Sequence, residues 1–205
     1  MKKLISTITA FTLILSMLML AACAPIEMKE FDRGEVSGNV YTSKYAGITF
    51  TKPDGWKFAS DEEIAKAMDI GLDMIESDDF NEEAAKMLTI TDMMASDPKT
   101  NTNIIVTCEN LKRTNNTDIT LGEYADTAIK NIKTQMGDSI NITVLDNKDI
   151  TLCNDTFRKI AMEVTVYGTE INQYMYCKNC GDFMAIITVT DNAGNNDEIY
   201  EAMFS

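Results

Sequence analysis

Residues 158–190 read RKIAMEVTVY-GTE-INQYMYC-KNCGD-FMAIITVT, and the spacing of these blocks decides the fold. Residues 158–167, 171–177 and 183–190 are rich in β-branched and aromatic side chains and alternate with period two, the pattern of strands. The links around Gly168-Thr169 and across residues 178–182 are only a few residues long. A parallel crossover needs a dozen residues or more, so these strands must pair antiparallel.

Working outward, the same period appears at Ile48 and Phe50, at Leu88, Ile90 and Met93, and over residues 103–108. Two further strands, 142–145 and 150–153, flank an Asp146-Asn147-Lys148 turn. Pro53-Asp54-Gly55 turns the chain before Trp56 and Phe58, because Pro presets φ and Gly accepts positive φ. Residues 97–101, Asp-Pro-Lys-Thr-Asn, make another turn. Helices begin at capping boxes. Ser60-Asp61-Glu62-Glu63 precedes an apolar stripe of Ile64, Ala67, Met68, Gly71, Leu72 and Ile75. Thr120-Leu121-Gly122-Glu123 precedes Leu121, Tyr124, Ala125, Ala128, Ile129, Ile132 and Met136, with Gly137 ending the helix. A short helix is expected over 81–86. Another is expected over 197–204, with Ile199, Tyr200 and Met203 inward. The sum is an α+β domain, an antiparallel β-sheet flanked by helices. Gly-x-Gly-x-x-Gly and Walker patterns are absent from the sequence, which argues against a nucleotide fold.

The N-terminal segment carries the sharpest motif. Lys2 and Lys3 precede a mostly apolar run, and Leu20-Ala21-Ala22-Cys23 closes it. This resembles the type II signal of bacterial lipoproteins. The resemblance implies cleavage before Cys23 and a thioether-linked diacylglycerol, with palmitate-type chains, on its sulfur. Stable anchoring takes two acyl chains, so the lipid alone would hold the protein on the extracytoplasmic face of the cell membrane. Residues 1–22 then form the signal peptide. Residues 23–38 form the lipidated Cys and a flexible tether whose mean reach is on the order of 20 Å. Residues 39–205 form a single globular domain.

The stretch Tyr45-Ala46-Gly47-Ile48-Thr49-Phe50-Thr51-Lys52-Pro53-Asp54-Gly55-Trp56 resembles the opening of PsbP-like and DcrB-like proteins. The later order, a long helix, successive antiparallel strands and a closing helix, is similar too. The chain also looks like small lipoproteins of anaerobic gut-type Firmicutes. The resemblance covers most of residues 41–205. It implies a PsbP-like α/β/α sandwich that serves binding or assembly, and it supplies no catalytic residue. The metal-related role of photosynthetic members is not carried over, since no ligand position matches.

The chain has a net charge of −14 and no histidine. The charge disfavours nucleic acid and anionic lipid surfaces. Without His, neither a Ser-His-Asp triad nor a Cys-His pair can be assembled. Cys177-Lys178-Asn179-Cys180-Gly181 places two thiols at a hairpin tip. A zinc knuckle needs a second ligand pair, and Cys108 and Cys153 are not spaced as one. A thioredoxin-type redox pair belongs at a helix N-terminus, and the flanks here are strand-like. We read Cys177 and Cys180 as a thiol pair or local disulfide, and Cys108 and Cys153 as small buried apolar residues. Glu76, Asp78, Asp79, Glu82 and Glu83 read as a solvated charge run, since a calcium loop needs a Gly-turned alternation of oxygens. Residues 191–197 read as a turn plus helix cap. The methionines read as core filler and Trp56 as a structural plug. No cofactor or metal is expected.

The expected function is therefore a lipid-anchored extracytoplasmic protein that binds and does not catalyse. Its partners would be the membrane, through the diacylglyceryl anchor on Cys23, and a cell-envelope protein. Two alternatives are a solute-capturing lipoprotein serving a transporter, and a thiol-redox or zinc protein using Cys177 and Cys180.

Overall fold

The computed structural model describes residues 31–136, 140–166 and 168–205. Cys23, the signal segment and Gly137 lie outside the described residues.

The chain runs β1 (Glu35–Ser37), β2 (Val40–Ser43), β3 (Ile48–Thr51), β4 (Lys57–Phe58), α1 (Asp61–Ala67), α2 (Leu72–Ile75) and α3 (Phe80–Ala84). It continues through β5 (Thr89–Ser96), β6 (Asn103–Asn110), α4 (Leu121–Met136), β7 (Ile140–Leu152), β8 (Asp155–Val166), β9 (Thr169–Asn179), β10 (Phe183–Asp191) and α5 (Asp197–Glu201). Seven strands form one sheet in the order β4-β5-β6-β10-β9-β8-β7, and β1-β2-β3 form a second. Each strand pair is antiparallel, as the short links require. The α+β class and the helix-flanked antiparallel sheet are as expected.

Alternation builds two cores on the two faces of the large sheet. In β6, Ile104, Val106 and Cys108 point to one face, joined there by Ile90 and Met93 of β5 and by Phe183, Ala185, Ile187 and Val189 of β10. The small sheet, α1, α3 and α5 cover this face with Tyr41, Ile48, Phe50, Ile64, Phe80 and Tyr200. The opposite face carries Ile160, Met162, Val164, Met175, Cys177 and Met184 under the Tyr124, Ala125 and Ile132 stripe of α4. Both capping boxes form. Ser60 N–H donates to Glu63 at 2.9 Å and Glu63 N–H to Ser60 Oγ at 3.3 Å. Thr120 N–H donates to Glu123 at 3.0 Å and Glu123 N–H to Thr120 Oγ1 at 3.2 Å. The 97–101 turn forms through Asp97, whose Oδ1 accepts from Lys99 N–H at 2.9 Å.

Five expectations are corrected. The Ile64-to-Ile75 stripe is not one helix. α1 stops after Ala67, Asp69 takes φ 56°, and Ile70 N–H returns to Ala65 O at 3.0 Å with Asp69 N–H on Lys66 O. That is the paired bonding of a Schellman end, with Asp where Gly is usual. The Asp146-Asn147-Lys148 turn does not exist: β7 runs through it, absorbing a bulge between Val144 and Asp146. The reversal comes at Cys153 and Asn154, with φ of 52° and 59°; two positive-φ residues are what a two-residue hairpin twisted with its strands demands. Cys153 is accordingly half-buried in a turn and not a core residue. Ile199 faces outward at 46 % exposure, while Phe204 enters the core in its place. Last, residues 31–38 are not tether. Phe31 is 1 % exposed, and β1 pairs with β2.

Candidate functional site

Two buried polar constellations and the cysteine hairpin hold the chemistry-bearing side chains. The first seats the N-terminal strap, residues 31–37. Phe31 packs its ring 5.4 Å from Tyr45 and 5.7 Å from Phe183. Arg33 donates its backbone N–H to Asn81 at 3.0 Å and its guanidinium to Asp61 at 2.6 Å. Gly34 N–H donates to Asp92 Oδ1 at 2.9 Å, and Tyr41 Oη donates to Asp92 Oδ2 at 2.5 Å. Gly34 lies so close to the Tyr41 ring that a Cβ there would sit 2.3 Å from Cε2. This is a position where only glycine fits by space, whatever its φ.

Asp92 is 3 % exposed. Alternation from Ile90 puts it on the core face, and the bulge between Thr91 and Met93 brings Met93 onto the same face. Burial raises its carboxyl above the ordinary range, against the opposing pull of the bonds from Tyr41 and Gly34. Burial likewise pushes the Tyr41 phenol up, and the neighbouring Asp92 charge adds to it. The pair is a latch that closes the strap onto the sheet.

The second constellation docks α5. Lys159, 6 % exposed on β8, forms ion pairs with Asp197 and Glu201, the latter at 3.0 Å. Burial pulls the ammonium down, but bonds from the two carboxylates outweigh it and leave the pKa raised. Tyr200 Oη donates to the buried Asp191 at 2.6 Å, and Asp191 also accepts from Ala193 N–H at 2.8 Å. Asn196 caps α5 by accepting from Ile199 N–H at 3.3 Å. The oxygen-rich 191–197 segment is therefore a turn and helix cap, as read from its sequence.

At the hairpin, Cys180 N–H donates to Phe183 O at 2.8 Å and Gly181 takes φ 89°. Cys177 and Cys180 do not share an environment. Cys177 is buried in the core beneath α4, whereas Cys180 packs against the core on the opposite face. Cys108, Cys153 and Cys177 are free thiols. Burial pushes Cys177 up to about 12, with the Glu109 charge assisting, and pushes Cys108 well above its usual value. This is the reverse of an activated thiolate.

Within the acidic run, Glu82 and Glu83 pair with Lys86 at 3.2 and 2.8 Å. Among the described residues, no group of three or more His, Cys, Asp or Glu side chains is placed to hold a metal ion. Met93, Met162, Met175 and Met184 are buried core, and Trp56 is half-buried against the larger core. Among the described residues, no helix is long and apolar enough to cross a membrane. Sequence reading missed Arg33, Gly34, Tyr41 and Asp92. The available signal was a lone Asp inside the apolar strand Thr89–Ser96, a residue that must find partners if buried.

No family model matches the chain, and no curated protein matches it. Among solved structures it is similar to the solution structure of cyanobacterial PsbP (CyanoP) from Synechocystis sp. PCC 6803, at 10 % identity and a TM-score of 0.47, over 91 % of this chain and 98 % of that one. It is also similar to a crystal structure from Bacteroides thetaiotaomicron VPI-5482, at 11 % identity and a TM-score of 0.39, over 83 % of this chain and 48 % of that one.

Proposed function

We propose that this chain is a lipid-anchored extracytoplasmic protein, a small bacterial lipoprotein of the kind found in Firmicutes, that acts by binding and not by catalysis. The observation that carries the reading is Leu20-Ala21-Ala22-Cys23 at the end of a hydrophobic run that follows Lys2 and Lys3. In this reading Cys23 receives a diacylglyceryl group and becomes the new N-terminus. Two acyl chains, at roughly 0.8 kcal/mol per buried methylene, hold the protein on the membrane without help from the polypeptide. The globular body then serves as an accessory or interaction module for a cell-envelope partner. Support for the non-catalytic part comes from the buried, up-shifted thiols of Cys108 and Cys177. It comes equally from the structural use of Asp92, Lys159 and Asp191, each of which ties a terminal segment to the sheet.

The test is mass spectrometry of the mature N-terminus with fractionation of cells. The expected result is a diacylated Cys23 and a membrane-bound product, with Cys23→Ser leaving an uncut precursor that carries no lipid. An unmodified wild-type N-terminus, or a wild-type protein recovered in the cytosol, would overturn the reading.

A further inference from the structure

We infer that the end of the large sheet bearing Phe31 faces the bilayer surface, with lipid headgroups as its occupant, and that the opposite end, bearing Trp56, faces away. The inference rests on the lipidation of Cys23 proposed above and adds an orientation to it.

Chain length limits how far the body can turn. Phe31 is 1 % exposed between Tyr45 and Phe183, and Arg33 and Gly34 are bonded to Asn81, Asp61 and Asp92. The folded body therefore begins no later than Phe31. Only residues 24–30 separate it from Cys23. Eight residue steps span at most about 26–29 Å. The leash is thus short, and it leaves from one end.

That end is defined by the pairing register. Phe183 pairs with Asn110 at one limit of β10, and Thr190 pairs with Asn103 at the other. The seven steps between them cover about 23 Å. Trp56 lies at the far limit, since its neighbour Lys57 pairs with Ser96, and Ser96 pairs with Asn103. Turning the far limit toward the membrane would require the leash to run most of its extended length around the body.

Both signs of charge meet at the Phe31 end of a chain that is −14 overall. Lys178 Nζ donates to Ala46 O at 2.8 Å and pairs with Asp155 at 2.8 Å. Lys112 pairs with Asp182 at 2.7 Å, next to Phe183. Arg113 N–H donates to Asn110 Oδ1 at 3.2 Å. Arg113 and Lys44, the latter beside Tyr45, are exposed. Lys178 and Lys112 offset Asp155 and Asp182, while Lys44 and Arg113 share this end with the exposed carboxylates of Asp32, Glu82 and Glu83.

The experiment uses the full chain purified from membranes and reconstituted into vesicles of phosphatidylcholine and phosphatidylglycerol that carry a headgroup-attached nitroxide. The sequence has one tryptophan, so native Trp56 reports the far end directly. Lys44→Trp and Arg113→Trp, each combined with Trp56→Phe, report the leash end at two exposed positions. We expect both introduced tryptophans to lose half or more of their emission, while Trp56 keeps nearly all of its own. Equal quenching of all three, or stronger quenching of Trp56, would overturn the orientation. Mass spectrometry of Cys23 in the same samples separates the two failures: an unlipidated Cys23 removes the anchor itself, whereas a lipidated Cys23 with inverted quenching removes only the orientation.

Discussion

Phe31→Ala should destabilise the domain by about 3–4 kcal/mol, which measures how firmly the strap belongs to the folded body. Phe31 is 1 % exposed. An aromatic side chain buries about 150–250 Å², which at ~25 cal/mol per Å² corresponds to roughly 4–6 kcal/mol. That is an upper bound, because the unfolded chain already shields part of its apolar surface. Measured Phe→Ala changes in cores run about 3–5 kcal/mol. The tilted contacts to Tyr45 and Phe183 at 5.4 and 5.7 Å are lost as well. The assay is urea unfolding followed by circular dichroism. At a slope of about 2 kcal/mol per M the midpoint should fall by about 1.5–2 M. For a domain of this size Tm should drop by roughly 6–16 °C. Val36→Ala, five residues along the same strap but 52 % exposed, is the control and should stay within about 0.5 kcal/mol of the parent. If Phe31→Ala also lies within about 1 kcal/mol of the parent, the strap is only loosely associated. The leash would then no longer be short.

Three further predictions follow from the same contacts. Gly34→Ala should cost about 1–3 kcal/mol by overpacking, because the new Cβ meets the Tyr41 ring at 2.3 Å. Combining it with Tyr41→Leu should cost clearly less than the sum of the two singles, and strict additivity in urea midpoints would argue against the clash. Asp92 has a raised folded-state pKa, so the folded chain binds that proton more tightly than the unfolded one. Its contribution to stability is fullest below the unfolded value and is lost as pH rises through the folded value. Asp92→Asn should steepen the acid limb of the stability–pH curve, where the lowered carboxyls of Glu123, Asp146 and Asp155 make stability rise with pH and Asp92 opposes them, and an unaltered slope there would contradict the burial argument. Finally, Cys108 and Cys177 should stay silent toward a thiol reagent in the native protein and react only on unfolding, as their raised pKa values demand. Rapid stoichiometric labelling of native Cys177 would refute its placement beneath α4.

What the chain shows along its length and what it conceals divide by the range of the interaction. Period-two alternation and links too short for crossovers determine an antiparallel sheet. The Ser60/Glu63 and Thr120/Glu123 boxes place two helix starts, because a capping bond spans three residues and needs nothing distant. The Leu20-to-Cys23 motif and the absence of histidine can likewise be read directly. Where a local signal was ambiguous, tertiary context decided. Asp146-Asn147-Lys148 is as good a turn as Cys153-Asn154 by composition, but only the latter lets residues 140–152 pair in register with β8. The Ile64-to-Ile75 stripe looks continuous until Asp69 takes positive φ to close α1. The strap is the clearest case. A polar stretch with two glycines and many charges reads as tether, yet Phe31 buries itself between Tyr45 and Phe183, and Gly34 slides against Tyr41. Those partners are from 7 to more than 150 residues away, and their contact energies enter no local pattern. Sequence alone thus determined the sheet, the two principal helix starts and the motif at Cys23. The folded structure alone decided that the strap from Phe31 belongs to the folded body, because that depends on which distant side chains its aromatic ring finds.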